Sequence, residues 1–121
     1  MKQVILDTSF VLMAIRNKID FLEGISFLGL TPILPEQVIN ELESIKESKK
    51  KLRFKDEAKL ALKILKRIKT IDIGNNYVDQ GIIDYAKANN GVIVATMDKG
   101  LKQKIQNRKL VIRAMKRLEI I

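Results

Sequence analysis

The stretch Val4-Ile5-Leu6-Asp7-Thr8-Ser9 sets a short, wholly apolar run against an acid and two hydroxyl residues. A run with no polar alternation marks a strand covered on both faces, as in a parallel sheet. Asp7-Thr8-Ser9 then offers N-cap residues for a helix. Its apolar face, Phe10, Val11, Met13 and Ala14, continues to about Asn17. Val92–Ala95 repeats the pattern: an apolar run, Thr96-Met97-Asp98, and a helix from Lys99 to about Gln106.

The chain between and beyond these two units alternates in the same way. Asp20 can cap a short helix through Leu28, and Pro32-Ile33-Leu34-Pro35 is a short strand. Pro35 suits the first turn of the next helix, where Val38, Ile39, Leu42 and Ile45 stand at helical spacing. Ser48–Leu52 is a basic linker. Asp56 to Ile68 is an amphipathic helix whose apolar face (Ala58, Leu60, Ala61, Ile64, Leu65 and Ile68) is assigned to the core rather than to an interface. Thr70–Ile73 reads as a strand and Gly74-Asn75-Asn76 as a loop. A helix from Tyr77 to about Asn89 is stopped by Asn90-Gly91. Leu110–Arg113 and Leu118–Ile121 close the chain as strands. Strands alternating with helices predict an α/β fold, a three-layer α/β/α sandwich around a mostly parallel central sheet. At 121 residues the expectation is one domain, residues 1–121.

Composition excludes much chemistry. The chain has no cysteine and no histidine. That removes disulfides, thiolate nucleophiles, zinc clusters, imidazole bases and Ser-His-Asp triads. A reaction must fall to carboxylates, hydroxyls or lysines, aided by a hard cation such as Mg²⁺ or Mn²⁺. The longest apolar runs fall far short of the roughly 20 residues of a membrane span, so no membrane partner is expected. Met1-Lys2-Gln3 leads directly into a core strand without a signal peptide, which predicts a cytoplasmic protein.

The net charge of +9 is segregated. Lys46–Lys69 holds 11 basic and 3 acidic residues, and Lys99–Arg117 holds 8 basic and no acidic residues. The remainder carries 4 basic and 11 acidic residues. Two basic segments flanking an acidic remainder suit a polyanion such as RNA. They also suit the lysine-rich surface of a heat-adapted, archaeal-type protein. Lys49, Lys50, Lys51, Arg53, Lys55, Lys99 and Lys102 are candidate phosphate contacts. Aromatics are few, so base stacking is expected to contribute little.

Ligands of open α/β sheets gather beyond the carboxyl ends of strands. Asp7 and Asp98 stand there, and either could serve only as a cap. Glu41 follows Val38 by three residues and precedes Ile45 by four, which borders the buried face. Its competitor Glu43 lies about 200° further around the helix. Asp79 occupies a first helical turn, where a carboxylate also suits the helix dipole. Thr8, Ser9 and Thr96 could orient a carboxylate, hold a water or cap a helix. Four carboxylates in one cleft repel each other and need cations.

In this order the motifs resemble those of PIN domains. Leu6-Asp7-Thr8-Ser9 is similar to the opening motif, Glu41 to the second acid, and Asp79 in Tyr77-Val78-Asp79-Gln80 to the third. Ala95-Thr96-Met97-Asp98-Lys99-Gly100-Leu101-Lys102 resembles the closing motif. Arg113-Ala114-Met115-Lys116-Arg117-Leu118-Glu119 is similar to the end of the rRNA-processing branch and its archaeal relatives. The resemblance implies an endoribonuclease that clusters three or four acids around Mg²⁺ or Mn²⁺. Asp7, Glu41, Asp79 and Asp98 would be catalytic, with Asp7, Asp79 and Asp98 as metal ligands. It implies rRNA processing or RNA decay, with a VapC-type toxin or a non-catalytic RNA-binding module as alternatives. The partners implied are RNA, a second copy of the chain, and an antitoxin or a ribosome-assembly factor. Gln80 departs from the pattern, since the rRNA-processing branch often carries a second acid there. A phosphotransfer domain fits less well: a haloacid-dehalogenase-like site wants an acid two residues after Asp7, where Ser9 stands.

Overall fold

The computed structural model describes residues 2–121, so Met1 lies outside the described residues. Six strands form one sheet in the order β3-β2-β1-β4-β5-β6. They are β1 (Gln3–Leu6), β2 (Thr31–Pro35), β3 (Lys69–Ile71), β4 (Ile93–Ala95), β5 (Lys109–Arg113) and β6 (Arg117–Ile120). All neighbours pair in parallel except β5 and β6, which form an antiparallel hairpin. This is the mostly parallel sheet that the alternation predicts. Val4, Ile5 and Leu6 alternate between the two sheet faces, yet all are fully buried, as are Val94 and Ala95. Both faces of the sheet are therefore covered by helices.

The helices are α1 (Thr8–Arg16), α2 (Phe21–Phe27), α3 (Glu36–Glu47), α4 (Leu52–Ile64), α5 (Val78–Ala88) and α6 (Lys99–Lys104). Asp20 caps α2 by accepting from the Glu23 amide at 3.2 Å. Pro35 ends β2 and stands one residue before α3 rather than inside its first turn. The largest departure is α4. It begins four residues earlier than the apolar spacing suggests and ends at Ile64, leaving Leu65–Ile68 as a turn. Arg53 and Lys55 thus sit on the helix. Only Ala58 and Ala61 of α4 are buried, with Leu65 just beyond. Leu52, Leu60 and Ile64 are exposed, so the apolar face assigned to the core is only partly there. The helix packs mainly against α3 and also meets α1, through an Arg16–Glu57 pair at 2.8 Å and through Phe54, over which both Arg16 and Arg53 stack. No helix among the described residues is long and apolar enough to cross a membrane.

Strand order turns back between β1 and β4: β2 and β3 extend the sheet on one side, β5 and β6 on the other. A crevice opens at such a switch point, beyond the carboxyl ends of the two strands. Leu6 and Ala95 are register partners at those ends. Helix α5 reaches the same edge by a close approach at Gly81, where a Cβ would lie 2.5 Å from Ile73 Cδ1 and 2.7 Å from its Cγ1. Alanine favours a helix over glycine by about 1 kcal/mol, but overpacking of this kind costs about 1–3 kcal/mol. Gly81→Ala is therefore expected to lower the midpoint of urea unfolding. Ile73→Val in the same chain should return part of the loss, a coupling that a double-mutant cycle measures directly.

Candidate active site

Asp7 leaves β1 with its amide hydrogen-bonded to the Ala95 carbonyl at 3.0 Å, so the first acid is fastened to the end of β4. The side chain is 3% exposed. Asp7 stands at the N-cap of α1, yet its carboxylate makes no cap bond. Oδ2 instead accepts from Ser9 Oγ at 2.6 Å and from Thr96 Oγ1 at 2.7 Å. Those hydroxyls accept in turn: Ser9 Oγ from the Met97 amide at 3.1 Å, and Thr96 Oγ1 from the Asp98 amide at 3.1 Å. Each hydroxyl spends its one proton on Asp7 and uses a lone pair to hold the loop that carries Asp98. The two acid-bearing turns are thereby laced together.

Asp98 does cap its helix, Oδ1 accepting from the Leu101 amide at 3.0 Å. Its Oδ2 has no partner among the described residues and faces outward from an exposed side chain. Asp79 is exposed in the first turn of α5. Glu41 is exposed too and opens into a cleft, rather than bordering the core as its spacing suggests. Glu43 is paired with Lys46 at 2.9 Å, which removes it as a competitor. Gln80 donates to Asp84 at 2.9 Å along the exposed side of α5, so neither is spent on the acids.

The electrostatics tie these groups into one cluster. Burial pushes the Asp7 carboxyl above its ordinary value, the Ser9 and Thr96 hydroxyls pull it back, and the charge of Glu41 raises it again. The Asp79 carboxyl is also raised, first by desolvation and then by the charges of Asp7 and Asp98, while Lys104 lowers it. Lys104 was not singled out from the sequence. Its position at the end of α6, six residues after Asp98, is the signal that could have found it. Lys99 and Lys102 lie on α6, immediately after Asp98. Lys49, Lys50 and Lys51 are exposed between α3 and α4, beyond an α3 terminus about 10 Å along the axis from Glu41.

The donor set suits a hard divalent cation. Every candidate ligand is an oxygen, and neighbouring carboxylate charge helps to raise the Asp7 and Asp79 carboxyls, a strain that a cation relieves. Thr8 Oγ1 is buried with no hydrogen-bond partner among the described residues. Such an orphaned polar atom beside Asp7 fits a site completed by a ligand or its water shell. No three acids among the described residues stand close enough to grip one ion directly. Mg²⁺ does not require that, because it keeps several waters and takes one or two carboxylates.

A family model described as a PIN like domain matches residues 4–117. The chain belongs to that family. Among relatives of this PIN-like domain, ribonuclease VapC4 of Methanocaldococcus jannaschii is 34% identical over 127 residues, covering 99% of this chain and 97% of its own. The rRNA-processing protein FCF1 of Saccharomyces cerevisiae is 30% identical over 111 residues, covering 86% of this chain. The PIN-like chain spans 54% of that relative's length. The structure of the PIN domain endonuclease Utp24 superposes with a TM-score of 0.79 at 26% identity, covering 98% of this chain and 90% of that one.

The raised Asp7 value fixes the sign of a pH effect. The folded chain keeps this proton to higher pH than the unfolded chain, so stability falls as pH rises from about 3.8 through the raised value, and stays lower above it. Asp7→Asn keeps an oxygen for the Ser9 and Thr96 hydroxyls and removes the buried charge. In EDTA the variant should be at least as stable as the wild type at pH 7 and flatter in its dependence between pH 4 and 7, within about 1 kcal/mol otherwise. Mn²⁺ should raise the unfolding temperature of the wild type and not of the variant. Thermal unfolding across this pH range checks both, and a variant several degrees less stable at pH 7 would contradict the assignment.

Proposed function

We propose that this protein is a metal-dependent endoribonuclease, a phosphodiester hydrolase acting in rRNA processing or RNA decay. The observation that carries the proposal is the lacing of Asp7 to the Asp98 turn through Ser9 and Thr96 at the switch point of the sheet, with Glu41 and Asp79 in electrostatic reach of Asp7. The names of the relatives, a ribonuclease, an rRNA-processing protein and an endonuclease, support the same reading.

Asp7, Asp79 and Asp98 would hold Mg²⁺ or Mn²⁺, at most two of them directly and the rest through the ion's water shell, with Glu41 at the rim. When bound, such a cation supplies charge neutralisation at the phosphoryl oxygens and acidifies a water for attack on phosphorus. The chain's own groups prepare that chemistry. Ser9 and Thr96 fix the orientation of Asp7 and offset part of the cost of burying its charge. The Leu101 amide fixes Asp98 and leaves its second oxygen available. With no histidine in the chain, proton transfer at the attacking water falls to the carboxylates. Lys99, Lys102 and Lys104 stand beside an acidic cleft that would otherwise repel RNA, and Lys49, Lys50, Lys51, Arg53 and Lys55 extend the positive surface along the strand.

A second reading, a VapC-type toxin countered by an antitoxin, is favoured by the near-complete mutual coverage with ribonuclease VapC4. Growth arrest on expression, relieved by a small protein encoded next to this chain, would select it over a housekeeping role.

The test is cleavage of labelled single-stranded and structured RNA in Mn²⁺, Mg²⁺ or EDTA. Asp98→Asn is expected to lower the rate by about a hundredfold or more, with little change in stability because Asn caps a helix as well as Asp. Undiminished cleavage by the folded variant would overturn the proposal. Salt-sensitive RNA binding with no cut by the wild type would point to a non-catalytic RNA-binding module.

A further inference from the structure

Next to the acids the protein has a recess of different chemistry. Glu41 forms one wall of a cleft of about 330 Å³, shared with Gln37, Asn40, Ser44 and Asn76. A second hollow of about 450 Å³ adjoins it, sharing Gln37 and Asn76 and adding Asp72, Asn75 and Tyr77. The two form a path from Glu41 to Tyr77, lined mainly by the amides of Gln37, Asn40, Asn75 and Asn76, with Glu41 and Asp72 as its charged groups and no lysine or arginine.

Tyr77 is 79% exposed. Among the described residues its ring stacks on no other ring and no guanidinium. Its backbone is held by Asn75, whose Oδ1 accepts from the Tyr77 amide at 2.9 Å. Tyr77 is also the N-cap of α5, two residues before Asp79. An aromatic ring is thus carried beside Asp79 on a held backbone and left uncovered.

Asp72 faces the same hollow and is equally fixed. Its Oδ1 accepts from Gln37 Nε2 at 2.7 Å and from the Gly74 amide at 2.8 Å. These bonds hold its carboxyl below the ordinary range, so it is ionised at neutral pH. Gln37 is oriented at its other end, where Oε1 accepts from the Ile73 amide at 3.3 Å. Asp72 Oδ2 bears no bond among the described residues. An ionised carboxylate repels a phosphate and accepts hydrogen bonds without donating any. What suits it is the edge of a base rich in donors. Guanine alone of the four RNA bases presents two adjacent donors, N1–H and N2–H, on its Watson–Crick edge. Unpaired RNA bases are read by stacking on an aromatic ring and by hydrogen bonds to such edges.

The geometry points to a nucleobase pocket in which an unpaired guanine of the RNA, close to the bond addressed by the acids, stacks on Tyr77 and donates to Asp72. The pocket gives the proposed nuclease a base preference, and it rests on that reading for the RNA strand that brings the base. Tyr77 and Asp72 are specificity residues here, and Gln37 is a positioning residue that acts through Asp72.

The chain has two tyrosines and no tryptophan, so a Tyr85→Phe background leaves Tyr77 as the sole fluorophore. The probes are single-stranded octauridylates carrying one central guanine, adenine or cytosine, with the unsubstituted oligomer as reference, in EDTA to prevent cleavage. The guanine oligomer is expected to quench Tyr77 and to bind about tenfold tighter than the others. Without that background, Tyr77→Ala should weaken guanine-oligomer binding about tenfold, whereas Tyr77→Phe restores it. Asp72→Asn should abolish the preference for guanine while the other oligomers still bind. Free GMP should bind at least tenfold more weakly than the guanine oligomer. GMP binding as tightly would overturn the assignment to an RNA base. Equal affinity for the four oligomers, or binding that leaves Tyr77 fluorescence unmoved, would overturn the pocket. A parallel cleavage arm in Mn²⁺ separates the two proposals. Guanine-selective quenching with no cleavage removes the nuclease and supports the pocket. Cleavage that ignores the neighbouring base removes the pocket and supports the nuclease.

Discussion

Burying Asp7 at the end of the central strand is the placement on which the rest of this molecule depends. A carboxylate with 3% of its surface exposed must be held by hydrogen bonds or lose its charge. Its N-cap position offers a helix amide, yet the carboxylate takes the hydroxyls of Ser9 and Thr96 instead. That choice needs β1 and β4 to be neighbours, needs Leu6 and Ala95 in register, and needs Thr96 to end β4 as a hydroxyl residue. The wholly apolar strands beneath provide a rigid platform for it. Asp7 and Asp98 are held in place by hydrogen bonds, while Glu41 and Asp79 stay exposed to water, which weakens the repulsion among the four.

The protein separates its charges by role. The four candidate acids stand where the sheet opens, while clusters of cations lie on α4, on α6 and in the connection after α3. Lys104, close enough to Asp79 to lower its pKa, is where the two territories meet. A polyanion approaching this surface meets positive charge first and negative charge last.

Much of the fold was legible because its signals are local. Val4-Ile5-Leu6 and Val92–Ala95 cannot be amphipathic surface elements, and the caps and glycines between them break the chain where it turns. Asp7, Asp79 and Asp98 stand out by position, since each follows a strand or opens a helix, whereas Glu41, inside α3, is marked only by its spacing from Val38 and Ile45. What the sequence hides is pairwise. Nothing in Ser9 or Thr96 states that they share one oxygen of Asp7 across the sheet. Gln37 gives no sign that it clasps Asp72 and Ile73. The start of α4 was misplaced because Leu52, the first apolar residue of the helix, is exposed and contributes nothing to the core. The β5–β6 turn was placed by flanking apolar runs, but its form was not legible. Ala114 and Met115 both adopt the left-handed region that glycine or asparagine would ordinarily fill.

The bond from Thr96 to Asp7 joins residues 89 positions apart, and it has a consequence for the timing of synthesis. A contact across so long a loop forms late, after the intervening strands and helices have docked. A chain still emerging from a ribosome, with β4 and α6 inside the exit tunnel, has Asp7 and Asp79 but nothing to lace them to Asp98. Its basic middle segment is already outside and close to ribosomal RNA. The arrangement therefore keeps Asp7 and Asp98 apart until β4 and α6 have emerged and docked beside β1.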